Sequence, residues 1–284
     1  MARFALVVEY DGSFFAGFQA QDGPLTVQVE LENALRIVLR GSVVGRVSCA
    51  GRTDSGVHAT GQVAAFDTET EAELPAPRRF LYALNGVLHP AISVRQVARV
   101  PATFHPRFSC VAREYEYLIL NDSVRTAFRP GRFLWIRDPL PVDALNEELL
   151  ELQGEHDFAA FARPHPGVQE TRRVLHFARI ERSTDRALDR DHMLGFRIRA
   201  NAFLHNMIRI LVGSLVDRAS GKITESLAGV LASRDRKRAG HTAPPEGLFF
   251  RKAFYPADLA QTGLETLALQ RHESRNGPNG PFSD

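Results

Sequence analysis

Between Ala202 and Val216 the chain reads AFLHNMIRILVGSLV, and only His205, Asn206, Arg209 and Ser214 in it are polar. Read as a helix, closed by Gly221, this segment is apolar nearly all round. It belongs deep in the protein, covered by other elements. Two of its polar residues then need an account. His205 and Arg209 are four apart and point the same way on a helix. A buried arginine without an anionic partner is very costly. Arg209 therefore either reaches water at the helix edge or pairs with an acid elsewhere, and Asp54 is the most attractive acid.

Strands and helices alternate on both sides of that segment. RFALVVEY reads as a strand, and Thr26 caps a helix with Leu31, Leu35 and Val38 on one face. VVGRVSCA and QVAAFDT are strands, PRRFLYALNGVL is a helix with Pro77 near its start, and AISVRQVARV is a strand. This first half has βα-type alternation. The second half opens on FHPRFSCVAREYEYLIL, read as one strong strand, and continues with the helix PVDALNEELLEL and the strands RRVLHFARIER and MLGFRIRA. After the apolar helix come a shorter helix in TESLAGVLAS, capped by Thr224, and a last strand, GLFFRKAFY. The expectation is an α+β protein of two sheet-and-helix domains, residues 1–102 and 103–258, with a disordered tail over 259–284. At 284 residues and 44% hydrophobic the chain is long enough for two cores.

Composition narrows the chemistry. The formal net charge is only +2, yet of 35 basic residues only Lys222, Lys237 and Lys252 are lysine. The rest are flat, bidentate arginines suited to phosphate. Cys49 and Cys110 are the only cysteines, and there is no CxxC, HExxH or Cys/His cluster. No structural metal or disulfide framework is expected. The apolar run at the start ends at Glu9 and Asp11, unlike a signal peptide, and no apolar stretch is long enough to span a membrane. A cytoplasmic protein is the expectation.

Three stretches carry possible chemistry. GRTDSGVHATGQ, residues 51–62, packs Arg52, Asp54 and His58 between two strands. It reads either as a tight turn, or as a carboxylate presented on a glycine-shaped loop and kept ionised by arginine. His58 reads as a loop support or a ligand contact. In REYEY, strand geometry puts Arg113, Tyr115 and Tyr117 on one face and Glu114 and Glu116 on the other. The aromatic face is core packing or a stacking platform for a base, with a phenol for proton transfer. APPEGLFF is a proline-stiffened loop entering a strand at Leu248.

Taken in order, EYDGSFFAGFQ, VSCAGRTDSGVHATGQVAAFDT, FHPRFSCVAREYEY, ANAFLHNMIRILVGSL and APPEGLFF resemble the tRNA pseudouridine synthase A family across most of the chain. The resemblance implies isomerisation of uridine to pseudouridine in the tRNA anticodon stem-loop, at tRNA positions 38, 39 and 40. It implies a pseudouridine synthase fold with two domains whose sheets join across a central RNA-binding cleft, a homodimer, and no cofactor or metal. Asp54 would be the catalytic aspartate, Tyr115 the active-site tyrosine, Arg209 the basic residue pairing with Asp54, and Leu248 the apolar residue against the target base. Arg52 would bind phosphate near the flipped nucleotide, with Arg113, His58 and His205 as further substrate contacts. There are departures. Phe18 stands where the family often has tryptophan, Ser55 where alanine is common, and Glu114 and Glu116 where basic residues occur, which would weaken attraction to RNA. Two other classes compete. A non-catalytic RNA-binding module gains nothing from Asp54 in a basic groove. A glycosidase-like hydrolase needs a second carboxylate, for which only Asp11 is a candidate.

Overall fold

The computed structural model describes residues 1–69, 74–127, 131–164, 167, 170–182 and 192–256. The tail expected over 259–284 lies outside the described residues. Ten strands form one sheet: β1 (Ala2–Tyr10), β2 (Val43–Cys49), β3 (His58–Thr68), β4 (Ile92–Val100), β5 (Ala112–Asn121), β6 (Leu134–Ile136), β7 (Gly154–Asp157), β8 (Arg172–Arg182), β9 (Met193–Ala200) and β10 (Leu248–Phe254). The main path runs β4-β1-β3-β10-β5-β9-β8-β7. Despite the βα alternation of the first half, β1, β2, β3 and β4 pair antiparallel. The helices are α1 (Val27–Val38), α2 (Pro77–Val87), α3 (Val142–Glu151), α4 (Met207–Ala219) and α5 (Leu227–Ser233).

The two halves of the chain share this sheet through its last strand. β10 pairs parallel with β3, Phe249 opposite His58 and Phe250 opposite Ala59, and antiparallel with β5 from Leu248–Tyr117 to Phe254–Ala112. The other stretch of the same β3 edge is taken by β2, at Ala64, Ala65, Asp67 and Thr68. The connection between β2 and β3, residues 50–57, therefore emerges where β2 stops and β10 begins. Buried apolar residues of both halves form one contiguous cluster.

Local signals set most element ends. Thr26 caps α1 by accepting from the Val29 N–H, and Pro77 opens α2. α5 is capped by Ser226, not by Thr224, its hydroxyl accepting from Gly229 N–H. β5 begins at Ala112, because residues 104–111 form a bonded loop rather than strand. Every residue from Ala112 to Leu120 is buried, as befits a strand covered on both faces. Glu114 and Glu116 are tolerated there because arginines from neighbouring strands neutralise them. Arg197 and Arg199 bond Glu114 at 2.9 and 2.5 Å, and Arg251 pairs with Glu116. These acids lie on the face away from Tyr115, each paired with arginine.

The apolar helix is buried as its composition requires, but it starts later than the pattern suggests. α4 begins at Met207, and Asn206 before it sits in the left-handed region at φ 60°. Residues 202–206 are a loop, held by the Asn201 side chain, which accepts from Val174 N–H and Ala202 N–H. His205 is thus an exposed loop residue and does not share a helical face with Arg209. Segment 239–244 lies along α4. A Cβ at Gly213 would sit 1.8 Å from the His241 carbonyl oxygen, so only glycine permits this approach.

Candidate active site

Residues 50–57 are fixed from every direction. Gln62, fully buried, brackets Gly51 with both ends of its amide: Nε2 donates to Gly51 O at 2.7 Å and Oε1 accepts from Gly51 N–H at 3.4 Å. Tyr10 and Thr53 share a hydroxyl bond of 2.8 Å, and Phe18 N–H donates to Thr53 O. Val57 N–H closes a turn onto Asp54 O, with Gly56 at φ +80°, a conformation the turn requires and glycine supplies without strain. From this rigid loop the side chains of Arg52 and Asp54 project exposed.

They face a cavity of about 510 Å3. It collects Arg52, Asp54, Arg113, Tyr115, His205, Arg209 and Leu248, seven of the eight residues singled out from sequence. Arg107, Phe203 and Asn206 also line it. Among the described lining residues there are four arginines and one carboxylate, Asp54. Tyr115 is 7% exposed and clamped edge-on by Phe203 at 5.1 Å and Phe250 at 5.0 Å, so its ring has one orientation. Burial pushes its phenol far above the ordinary value, and nearby Tyr10 and Asp54 push the same way. The group is therefore a neutral O–H donor at any working pH. Leu248, the first residue of β10, adds an apolar wall.

Three expectations change. His58 does not line the cavity. It is 2% exposed, accepts from Gly12 N–H at Nδ1 (3.1 Å), contacts Gly131 O through Nε2 (3.1 Å) and stacks on Phe249 at 4.6 Å. Burial lowers its pKa against the pull of Asp11, and an Nδ1 that accepts fits the neutral ring. His58 supports the loops around it and does not line the cavity.

Arg113 lines the cavity, but four of its five N–H donors are used. Nε bonds Ala50 O, Nη1 bonds Cys110 O and Asn201 O, and Nη2 bonds Arg107 O. It braces the aspartate loop, the 104–111 loop and the approach to α4 against one another, which leaves no fork for a phosphate. Third, Arg209 and Asp54 line the same cavity without an ion pair. Arg209 donates to Ala243 O at 2.7 Å and to Asn206 Oδ1 at 3.1 Å, and Ala243 N–H returns a bond to Arg209 O. A carbonyl and an amide take two of its donors, and the half-buried guanidinium keeps access to water for the rest. Asp54 forms no ion pair among the described residues.

Sequence reasoning missed Arg107, Phe203, and the loop supports Gln62, Tyr10 and Thr53. Gln62 and Tyr10 stand inside the recognisable motifs, but nothing in a strand sequence says which side chain reaches a loop. Asp11, the possible second acid, is engaged with Ser13 and Arg132 and does not line the cavity. Cys49 is a buried thiol, pushed up to about 12 by burial, and is inert. Among the described residues no three His, Cys, Asp or Glu side chains converge as a metal site, and no helix is long and apolar enough to cross a membrane.

Comparison with known proteins identifies the family. A family model described as tRNA pseudouridine synthase matches residues 6–109 and 149–256. A tRNA pseudouridine synthase A of Methylococcus capsulatus is 41% identical over 271 residues, 95% of this chain and 94% of the relative. Those of Leptospira biflexa and Halalkalibacterium halodurans are 39% and 40% identical, covering 90% and 87% of this chain and 94% and 90% of the relatives. The chain belongs to the tRNA pseudouridine synthase family.

Proposed function

We propose that this protein isomerises uridine to pseudouridine in the anticodon stem-loop of tRNA, at positions 38, 39 and 40, with Asp54 as its catalytic carboxylate. One observation carries the reading. Asp54 is the one carboxylate among the described lining residues of a cavity with four arginines, and it is exposed on a loop that everything around it holds still. Such a cavity suits a polyanion whose reaction needs a single acid. The reaction breaks N1–C1′, turns the base and joins C5 to C1′, with no water consumed and nothing oxidised. A carboxylate serves as nucleophile or base while the glycosidic bond is open.

The target base must leave its stack, at a cost of a few kcal/mol. Tyr115 and Leu248 offer the surface that offsets this. The fixed phenol of Tyr115, held neutral by burial, stands where its hydroxyl helps move a proton from C5. Arg52, exposed at the rim, takes a phosphate, and Arg209 and His205 face the substrate from the second half of the chain. Residues 1–102 and 103–258 are taken as the two domains. A cytoplasmic homodimer would extend the basic surface beyond one cavity.

The test is to incubate the protein with unmodified tRNA and analyse the nucleosides. Wild type should form pseudouridine. Asp54→Ala should form none while still binding tRNA, with affinity that falls steeply as salt rises. An active Asp54→Ala enzyme, or wild type that leaves uridine unchanged, would remove the proposal.

A further inference from the structure

Beside the reaction cavity lies a second hollow, of about 250 Å3. Arg52 and Arg107 line both, so they form a common rim. The buried lining of the second hollow is Phe18, Val47, Cys49 and Gln28, whose amide is bonded to Ala20 N–H and Glu32, and the polar groups of Gln19 and Ser48 are at its edge. Phe108 completes it. Single exposed apolar residues are ordinary, and the surroundings of this one set it apart. Phe108 is 77% exposed, the most exposed phenylalanine among the described residues. The His105 ring lies 4.4 Å from it and the Arg107 guanidinium 5.7 Å from its centroid.

The loop that carries Phe108 is preorganised. His105 Nδ1 accepts from Arg107 N–H and Phe108 N–H, Ser109 Oγ accepts from His105 N–H, and Ser109 N–H returns to His105 O. Arg113 ties the same loop, through Arg107 O at 2.6 Å, to Ala50 at the root of the aspartate loop at 3.1 Å. An exposed ring on a preorganised loop, cations on its rim and an amide and a hydroxyl at the edge match how unpaired bases are held: by stacking, with polar contacts to the base edge and arginine on the phosphate.

We propose that this hollow holds the base of the nucleotide next to the target uridine, stacked on Phe108, with Arg52 and Arg107 on the phosphate between the two. The proposal rests on the function proposed above and deepens it. When the target base leaves the stack, its neighbour loses a stacking partner. Phe108 replaces that face, so part of the cost of flipping is returned outside the reaction cavity. The GFQ motif also gains a role, with Phe18 in the lining and Gln19 at the edge.

The experiment measures binding of labelled anticodon stem-loops to wild type, Phe108→Ala and Phe108→Trp, using the intact RNA and RNAs with one abasic sugar at each loop position in turn. Phe108→Ala should weaken binding of the intact stem-loop about five- to hundredfold, as loss of one base stack does, while Phe108→Trp keeps it. One abasic position beside the target should weaken wild type by a similar factor and leave Phe108→Ala unaffected. The proposal is overturned if Phe108→Ala binds like wild type, or if its loss is the same on every abasic RNA. It is equally overturned if the substitution changes the oligomeric state without coupling to any RNA position, which would make this face a subunit contact. Binding reads this proposal and nucleoside analysis reads the reaction, so either can fail without the other.

Discussion

Arg113 offers the sharpest test of how the site is held. Its side chain is 9% exposed and donates to four backbone carbonyls at 2.6–3.4 Å, belonging to three separate loops. A hydrogen bond from a charged donor contributes about 1.5–3 kcal/mol, and a buried acceptor left without a donor costs about 1–3 kcal/mol. Arg113→Lys keeps the charge but loses the planar fork, and one ammonium cannot serve acceptors on opposite sides. Discounting the 3.4 Å bond and one carbonyl that water can reach, two strong bonds are lost. The expected destabilisation is about 3–5 kcal/mol. For a domain of this size that lowers Tm by roughly 6–20 °C. Thermal unfolding followed by circular dichroism measures it. The same variant should lose turnover, because Ala50 at the root of the Asp54 loop is released. A phosphate-binding arginine would behave in the opposite way, with lysine keeping both stability and most RNA affinity. A Tm within about 2 °C of wild type would refute the brace.

Other outcomes follow from the same geometry. Asp54→Asn should abolish turnover yet change folding stability by less than about 0.5 kcal/mol, because the carboxylate is exposed and forms no ion pair among the described residues. Combined with Arg209→Met, its stability effect should be additive in a double-mutant cycle. Coupling above about 1 kcal/mol would reveal a pair in solution. Tyr115→Phe should bind tRNA normally and turn over more slowly, since Phe203 and Phe250 hold the ring without the hydroxyl; an unchanged rate would leave Tyr115 with stacking alone. Burial alone would raise the pKa of Glu114, but Arg197 and Arg199 outweigh it and hold the value below the ordinary one. Its contribution is therefore full above about pH 4.3 and drains as pH falls through the lower folded value. Glu114→Gln should flatten this part of the acid limb in urea titrations, and an unchanged limb would assign acid sensitivity to other carboxylates.

What the sequence made legible follows from the range of the forces involved. Caps, turns and the buried helix depend on neighbours within a few residues, so Thr26, Pro77, Gly56 and the apolar run over α4 were readable. The motif residues Asp54, Tyr115 and Leu248 were identified by resemblance and meet in one cavity. Partners of buried polar groups were not readable. Arg209 called for an anion on electrostatic grounds, yet Ala243, 34 residues on, supplies a carbonyl. Arg113 shares a strand face with Tyr115, as the period of two requires, but its role depends on carbonyls up to 88 residues away. The side chain of Asn201 and the left-handed Asn206 broke a helix that the apolar pattern extended to Ala202.

The position of the aspartate follows from how the last strand completes the sheet. β2 covers the Ala64–Thr68 stretch of the β3 edge, and β10, arriving at the end of the described chain, covers His58 and Ala59. Between them Ala50 N–H still bonds Val63 O, and residues 51–57 leave the edge there. β10 then brings the second half with it. Leu248 enters the cavity wall, Phe250 clamps Tyr115, Phe249 stacks on the loop support His58, and Arg251 bonds Thr60 across 191 residues of sequence while pairing with Glu116. Each contact ties an element near Asp54 to one near Tyr115. A reaction with a single carboxylate depends on that carboxylate being held to within about 0.5 Å of its productive position, and side chains locked by packing and bonded backbone do this better than free loops. Here neither half holds the geometry alone. The aspartate comes from one half, the tyrosine and the arginine of α4 from the other, and the spacing between them is set by strand pairing through β10, which is as rigid as anything in the fold.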